Sequence, residues 1–261
     1  MRIALIAAFI SLLALSDASA QSPASADIAP GGTLRVAIVG PDPALITKRP
    51  DGNFVGVAVD YANFLAGKVD AKLKPVVYPD LEAYGKSLGK NEWDLVFGPR
   101  RPLEGDKLDP GPPILMVDAL YVAAPGKHFA KASEVDRAGV KIAAPLGEGS
   151  PEKFLAATLK SATLVPIAAG GSYAVDALQS GKADVYGANG EIAHGVAARL
   201  SGATIVEGPF ATAGILIQFP KGKSFTARDR IMQAVKEAKA KNLPQDWIKR
   251  HGLKAVRPVT S

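Results

Sequence analysis

The chain of 261 residues contains no cysteine, so no disulfide can staple it. A chain this long buries enough apolar surface to do without one. Aromatic residues are sparse, at 7%. The histidines His128, His194 and His251 lie far apart and lack the spacing of a metal site. No metal or other cofactor is expected. There is no Gly-rich phosphate loop, no nucleophile elbow and no paired-carboxylate motif. The formal net charge is +6, but lysine and arginine are scattered rather than clustered, which argues against a nucleic-acid partner. What the charge leaves is a weak attraction for anionic ligands.

Only the N-terminus carries a long apolar run. Arg2 is followed by Ile3 to Leu15, too short for a comfortable membrane span, and then by Ala18-Ser19-Ala20. This pattern predicts a signal peptide over 1–20, cut after Ala20, with a second possible cut at Ala24-Ser25-Ala26. The mature protein is then expected in the periplasm. Residues 21–32, rich in Ser, Ala, Pro and Gly, read as a flexible leader.

Beyond residue 32 the chain contains a repeated phrase. Leu88 to Gly98 reads LGKNEWDLVFG and Leu178 to Gly187 reads LQSGKADVYG. Each is a helix end, a Gly-Lys turn, an aspartate (Asp94 or Asp184) and a short apolar strand closed by glycine. The phrase ends two matching β-α-β-α-β cycles. The first has strands at Leu34–Val39, Leu73–Tyr78 and Trp93–Phe97, with helices at Gly56–Lys68 and Leu81–Leu88 between them. The second has strands at Val140–Ala144, Thr163–Ile167 and Ala183–Tyr186, with helices at Pro151–Leu159 and Ser172–Ser180. This order implies parallel strands with right-handed crossovers. Pro99 to Pro113 reads as a loop, and Ile114 to Ala124 as an apolar run from one lobe to the next. A helix at Thr226–Lys241 and a last one at Gln245–His251, anchored by Trp247 and Ile248, return to the first lobe. The reading is an α/β chain of two lobes. One lobe spans 33–122 and 216–261, the other 123–215, and a double-strand hinge lies near Tyr121–Ala124 and Ile215–Phe219.

In this order Gly32-Thr33-Leu34-Arg35-Val36-Ala37, Asp51-Gly52 with Gly56-Val57-Ala58-Val59-Asp60, Trp93-Asp94-Leu95-Val96, Gly181-Lys182-Ala183-Asp184-Val185 and a late tryptophan are suggestive. The chain resembles the periplasmic solute-binding proteins of ABC importers, in particular the family that includes the polar amino-acid binders. The resemblance implies a type II binding-protein fold whose lobes close on a small solute, delivery to a membrane permease, a monomer, and no enzymatic activity.

It also implies site residues. Amino-acid binders carry a Ser/Thr and an Arg after the third strand to hold a carboxylate. The usual Thr-x-x-Arg spacing is missing here, and Arg100 or Arg101 is expected to serve instead. Gly147-Glu148-Gly149-Ser150 leads into a helix N-terminus, where the family places a Gly-Thr/Ser pair against the ligand carboxylate. Gly149 and Ser150 match that pair, Gly147 is expected beside them at the ligand, and Ser150 also reads as the N-cap. Asn189 stands where α-amino-acid binders carry an Asp, which turns the expectation from an amino acid toward an organic acid or polar solute. Leu45 occupies the first loop, where an aromatic often stacks on the ligand. Two alternatives stay open: a dehydratase-like periplasmic enzyme on the same scaffold, with Glu148 and Glu191 as its acid candidates, and an accessory or sensory binding subunit.

Overall fold

The computed structural model describes residues 23–40, 42–147 and 151–259. In chain order its elements are α1 Pro23–Ile28, β1 Thr33–Val39, β2 Thr47–Lys48, β3 Phe54–Val55, α2 Val57–Lys68, β4 Lys72–Tyr78, α3 Leu81–Ser87, β5 Leu95–Gly98 and β6 Leu108–Ala123. Then come β7 Lys141–Pro145, α4 Pro151–Thr158, β8 Thr163–Ile167, α5 Gly171–Gln179, β9 Val185–Asn189, α6 Gly190–Arg199, β10 Thr204–Ile205, β11 Ala211–Pro220, α7 Phe225–Ala240, α8 Leu243–Arg250 and β12 Val256–Pro258.

One mixed sheet runs through both halves in the order β4-β1-β5-β11-β6-β9-β7-β8. Each half contributes a parallel triplet whose first strand is central: β1 between β4 and β5, β7 between β8 and β9. The long strands β6 and β11 pair antiparallel in the middle. The central strands are nearly continuous apolar runs, as expected where helices cover both faces. In β1, Leu34, Val36, Ala37 and Ile38 are all buried.

The repeated phrase has one structural meaning. Arg35 N–H donates to Asp94 Oδ2 at 2.9 Å, and Asp94 N–H donates back to the Arg35 carbonyl at 2.9 Å. In the second half Lys141 and Asp184 make the same reciprocal pair. Each aspartate ties the start of the third strand of a triplet to the start of the first.

The cores are separate. One gathers Leu34, Ile38, Leu65, Ile231 and Trp247, and extends along β6 as far as Val117 and along β11 from Ile215. Tyr61 packs edge-on to Trp247 there, with ring centroids 5.0 Å apart. The second half gathers Leu120, Val122, Ala143, Leu178 and Val196. The crossing on β6 therefore lies between Val117 and Leu120, a little before the expected Tyr121–Ala124. On β11 it lies ahead of Ile215 rather than within Ile215–Phe219, since Ile217 and Phe219 belong to the first core. The C-terminal segment crosses as well: Ala255 packs in the second core and Val256 in the first. Gly190 admits this crossing, because a Cβ there would stand 2.2 Å from the Ala255 methyl.

Two further expectations are corrected. Residues 23–32 are not a flexible leader: Pro23–Ile28 is helical, Ile28 and Ala29 are buried, and Asp27 accepts the Ser224 N–H at 3.0 Å. Nor is Pro99–Pro113 all loop, since β6 already begins at Leu108. Its prolines lack a donor for the ladder. The register between β6 and β11 shifts on either side of Leu216, which faces Pro113, while Pro110 faces Gln218, and this irregularity accommodates the prolines.

Candidate ligand-binding cleft

In both triplets the strands end on the same side, and a cleft of about 960 Å³ opens beyond those ends. Open α/β sheets bind ligands there, and the volume suits a small molecule. Gly40 after β1, Pro79 after β4, Pro99 to Pro102 after β5, Gly147 after β7 and Asn189 at the end of β9 all line it. Asp118 and Thr212, neighbours across β6 and β11, also line it, between the two sets of strand ends.

Of the residues singled out from the sequence, Arg100, Arg101, Gly147 and Asn189 meet in this cleft. Gly149, Ser150 and Glu148 lie outside the described residues, as does the signal peptide over 1–20. Leu45 is corrected. It is 3% exposed within the first core, and its carbonyl accepts the Ala58 N–H at 3.1 Å, so it holds the loop to α2 and does not line the cleft.

The two arginines differ. Arg101 folds back on its own loop. Its backbone N–H donates to Glu104 Oε2 at 2.9 Å, its guanidinium lies 3.5 Å from Glu104 Oε1, and it donates to the Pro99 carbonyl at 3.3 Å. Gly98 makes room, since a Cβ there would stand 2.7 Å from Arg101 Nη1. Glu104 is only 1% exposed, and Tyr84 Oη and Gln218 Nε2 also donate to it, at 3.0 and 3.5 Å. Arg101 thus arrives in the cleft with its charge balanced by a buried carboxylate. Arg100 is exposed and makes one long bond, to the Gly105 carbonyl at 3.4 Å. Among the described residues no carboxylate pairs with it.

The carboxylates of the cleft are mostly engaged. Asp80 caps α3 by accepting the Ala83 N–H at 2.8 Å, and Glu82 pairs with Lys86. Asp118 accepts the Thr212 hydroxyl at 2.6 Å and lies 3.3 Å from Arg257. Asp42 differs: burial pushes its carboxyl up, and Glu191 adds to this, while the Ala44 N–H and Arg101 oppose it. Asn189 Oδ1 caps α6 by accepting the Glu191 N–H at 3.0 Å, which leaves its amide NH₂ for the cleft. Glu191 Oε1 accepts the N–H groups of Lys254 and Ala255, each at 2.7 Å. It fastens the C-terminal segment to α6 and lines no part of the cleft.

Sequence reasoning missed Phe154 and Phe210, which line the second half of the cleft. Tyr84, Tyr121 and Tyr186 are buried as packing residues. Among the described residues, no group of three or more His, Asp or Glu side chains is placed to hold a metal ion.

No family model matches the chain, and no curated protein does. Solved structures match its fold. A putative binding component of an ABC transporter from Wolinella succinogenes, complexed with lysine, has a TM-score of 0.69 at 16% identity, covering 84% of this chain and 95% of that one. An amino acid ABC transporter substrate-binding protein from Streptococcus pneumoniae, bound to L-arginine, has a TM-score of 0.64 at 18% identity, covering 90% of this chain and 99% of that one. An ancestral amino acid-binding protein, described as a precursor of cyclohexadienyl dehydratase, has a TM-score of 0.65 at 18% identity, covering 84% and 94%. The chain therefore has the two-lobe α/β fold of the type II periplasmic binding proteins.

Proposed function

We propose that this protein is the solute-binding component of an ABC importer. It is exported by residues 1–20, works as a monomer in the periplasm, traps a small carboxylate-bearing solute between its lobes and hands it to a membrane permease. The observation that carries this reading is Arg100, an exposed guanidinium without a carboxylate partner among the described residues, in a cleft lined from both halves. A guanidinium fork matches a carboxylate, and charge-assisted bonds of this kind are the strong ones. The Asn189 amide supports the same reading from the other side. Hinge closure about β6 and β11 would let both halves touch one solute.

Binding without turnover is the expected chemistry. Of the two acids considered for catalysis, Glu191 is committed to two backbone N–H groups. The test is a thermal-shift and calorimetric screen of the mature protein against carboxylates, amino acids, sugars and oxyanions, with product analysis of every binder. A stabilising carboxylate recovered unchanged supports the proposal. A ligand at a hundredfold excess over Kd adds about 2.7 kcal/mol to apparent stability. Turnover of the bound solute, or no shift with any carboxylate, sinks it.

A further inference from the structure

A ladder of rings runs from the interior of the second half into its part of the cleft wall, where Phe210 and Phe154 line the cleft. Tyr121 is buried on β6, and Phe210 stacks on it with centroids 4.3 Å apart at 25°. Phe154 follows on α4, 6.2 Å from Phe210 at 37°. Phe154 is 44% exposed, although it belongs to a short helix that buries Leu155. An exposed phenyl ring backed by two further rings is held in place before any ligand arrives. Its outer face is apolar surface left in water inside a concave site, which is where such surface marks a ligand contact.

The first half answers with prolines. Pro43, Pro79 and Pro99, which follow β1, β4 and β5, line the cleft together with Leu81. A proline presents a rigid apolar ring and no N–H. These positions cannot bind the polar body of a sugar or a peptide through backbone donors. Among the described residues, the side-chain donors left to a ligand are the Arg100 guanidinium, the Asn189 amide and the rest of the Arg101 fork, while Asp42, Asp80 and Asp118 each engage one carboxylate oxygen only.

We infer that the solute is a ring-bearing carboxylate, its acid held by Arg100 and its ring packed on the outer face of Phe154. This rests on the solute-binding reading above and narrows it. Aromatic rings packed offset or edge-to-face gain beyond the area they bury, so the ring supplies discrimination while the acid supplies orientation.

The test is calorimetric titration of the mature protein with phenylacetate, phenylpyruvate, acetate, succinate and lysine. The aryl acids should bind at least about tenfold more tightly than the aliphatic acids, a difference of about 1.4 kcal/mol. Phe154→Ala should remove that advantage, lowering affinity for the aryl acids at least about tenfold more than affinity for succinate. Phe154→Leu should retain part of it. Arg100→Ala should weaken aryl and aliphatic acids alike. Because Phe154 is exposed, neither Phe154 variant should unfold the protein, and urea denaturation checks this. If phenylacetate binds no better than acetate, or Phe154→Ala leaves aryl affinity unchanged, the ring assignment falls. In that case binding of succinate, lysine or another carboxylate of the wider screen would still uphold a solute-binding role; no binding by any carboxylate would remove both.

Discussion

Lys141 donates its N–H to Asp184 Oδ2 at 2.9 Å, and the Asp184 N–H returns a bond to the Lys141 carbonyl at 2.8 Å. Lys127 Nζ approaches the same carboxylate at 2.8 Å. Burial pushes this carboxyl up, but Lys127 and the Lys141 N–H together hold it below its ordinary value. A carboxyl lowered in the folded state adds stability that is fully present above its unfolded value, about 3.9, and is lost as pH falls through the folded value. Asp184→Asn should therefore cost about 1 kcal/mol at pH 7. The gap should narrow as the pH falls below about 4, read by urea denaturation across the pH range.

Asp42 has the opposite sign. Its carboxyl is raised by burial, so its ionised form costs stability at neutral pH, and the cost disappears as pH falls through the raised value. Asp42→Asn keeps an acceptor for the Ala44 N–H and removes the charge. Thermal denaturation should show the variant more stable than the parent at pH 7, with no advantage at pH 3.5. An equal gain at both values would mean that the charge is not what matters.

Glu104 is the most consequential buried carboxylate near the cleft. Glu104→Ala strands the Tyr84 hydroxyl, the Gln218 amide and the Arg101 guanidinium together, and breaking a buried pair in this way costs about 3–5 kcal/mol. Glu104→Gln keeps acceptor geometry and should cost less. The measurement is the urea midpoint at constant m-value.

Arg100 should show the reverse profile. Its side chain is exposed, so Arg100→Ala should change stability by no more than about 0.5 kcal/mol. Affinity for a carboxylate should fall about 10- to 100-fold, the worth of one charge-assisted interaction. Titration calorimetry beside urea denaturation separates the two effects.

Much of this was readable from residue order. Apolar runs such as Leu34–Val39, broken by Gly40, mark the triplet strands, and the phrase around Asp94 and Asp184 marks where each triplet closes. Knowing where strands end places Arg100 and Asn189 in one cleft, because the ends of parallel strands share a side. What stayed hidden depends on distant partners. Arg100 and Arg101 are the same residue type side by side, and only Glu104 folded beneath the second tells them apart. Leu45 looks like a loop residue until α2 packs over it. Phe154 sits in a helix that reads PEKF, and nothing local shows that Phe210, far along the chain, stands behind it. The strand through Pro110 and Pro113 defies local propensity and exists because β6 carries an extra residue on either side of Pro113 as it pairs with β11.

The C-terminal segment gives the molecule a property that neither half has alone. Ala255 and Val256 are neighbours in sequence, yet each is packed into a different core, and Asp118, within the crossing of β6, donates its N–H to the Ala255 carbonyl. Losing either core frees the same short stretch and so loosens the other. Two bodies that hold separate apolar interiors are thereby made thermodynamically interdependent, and heat or denaturant should melt them in one cooperative step rather than in sequence.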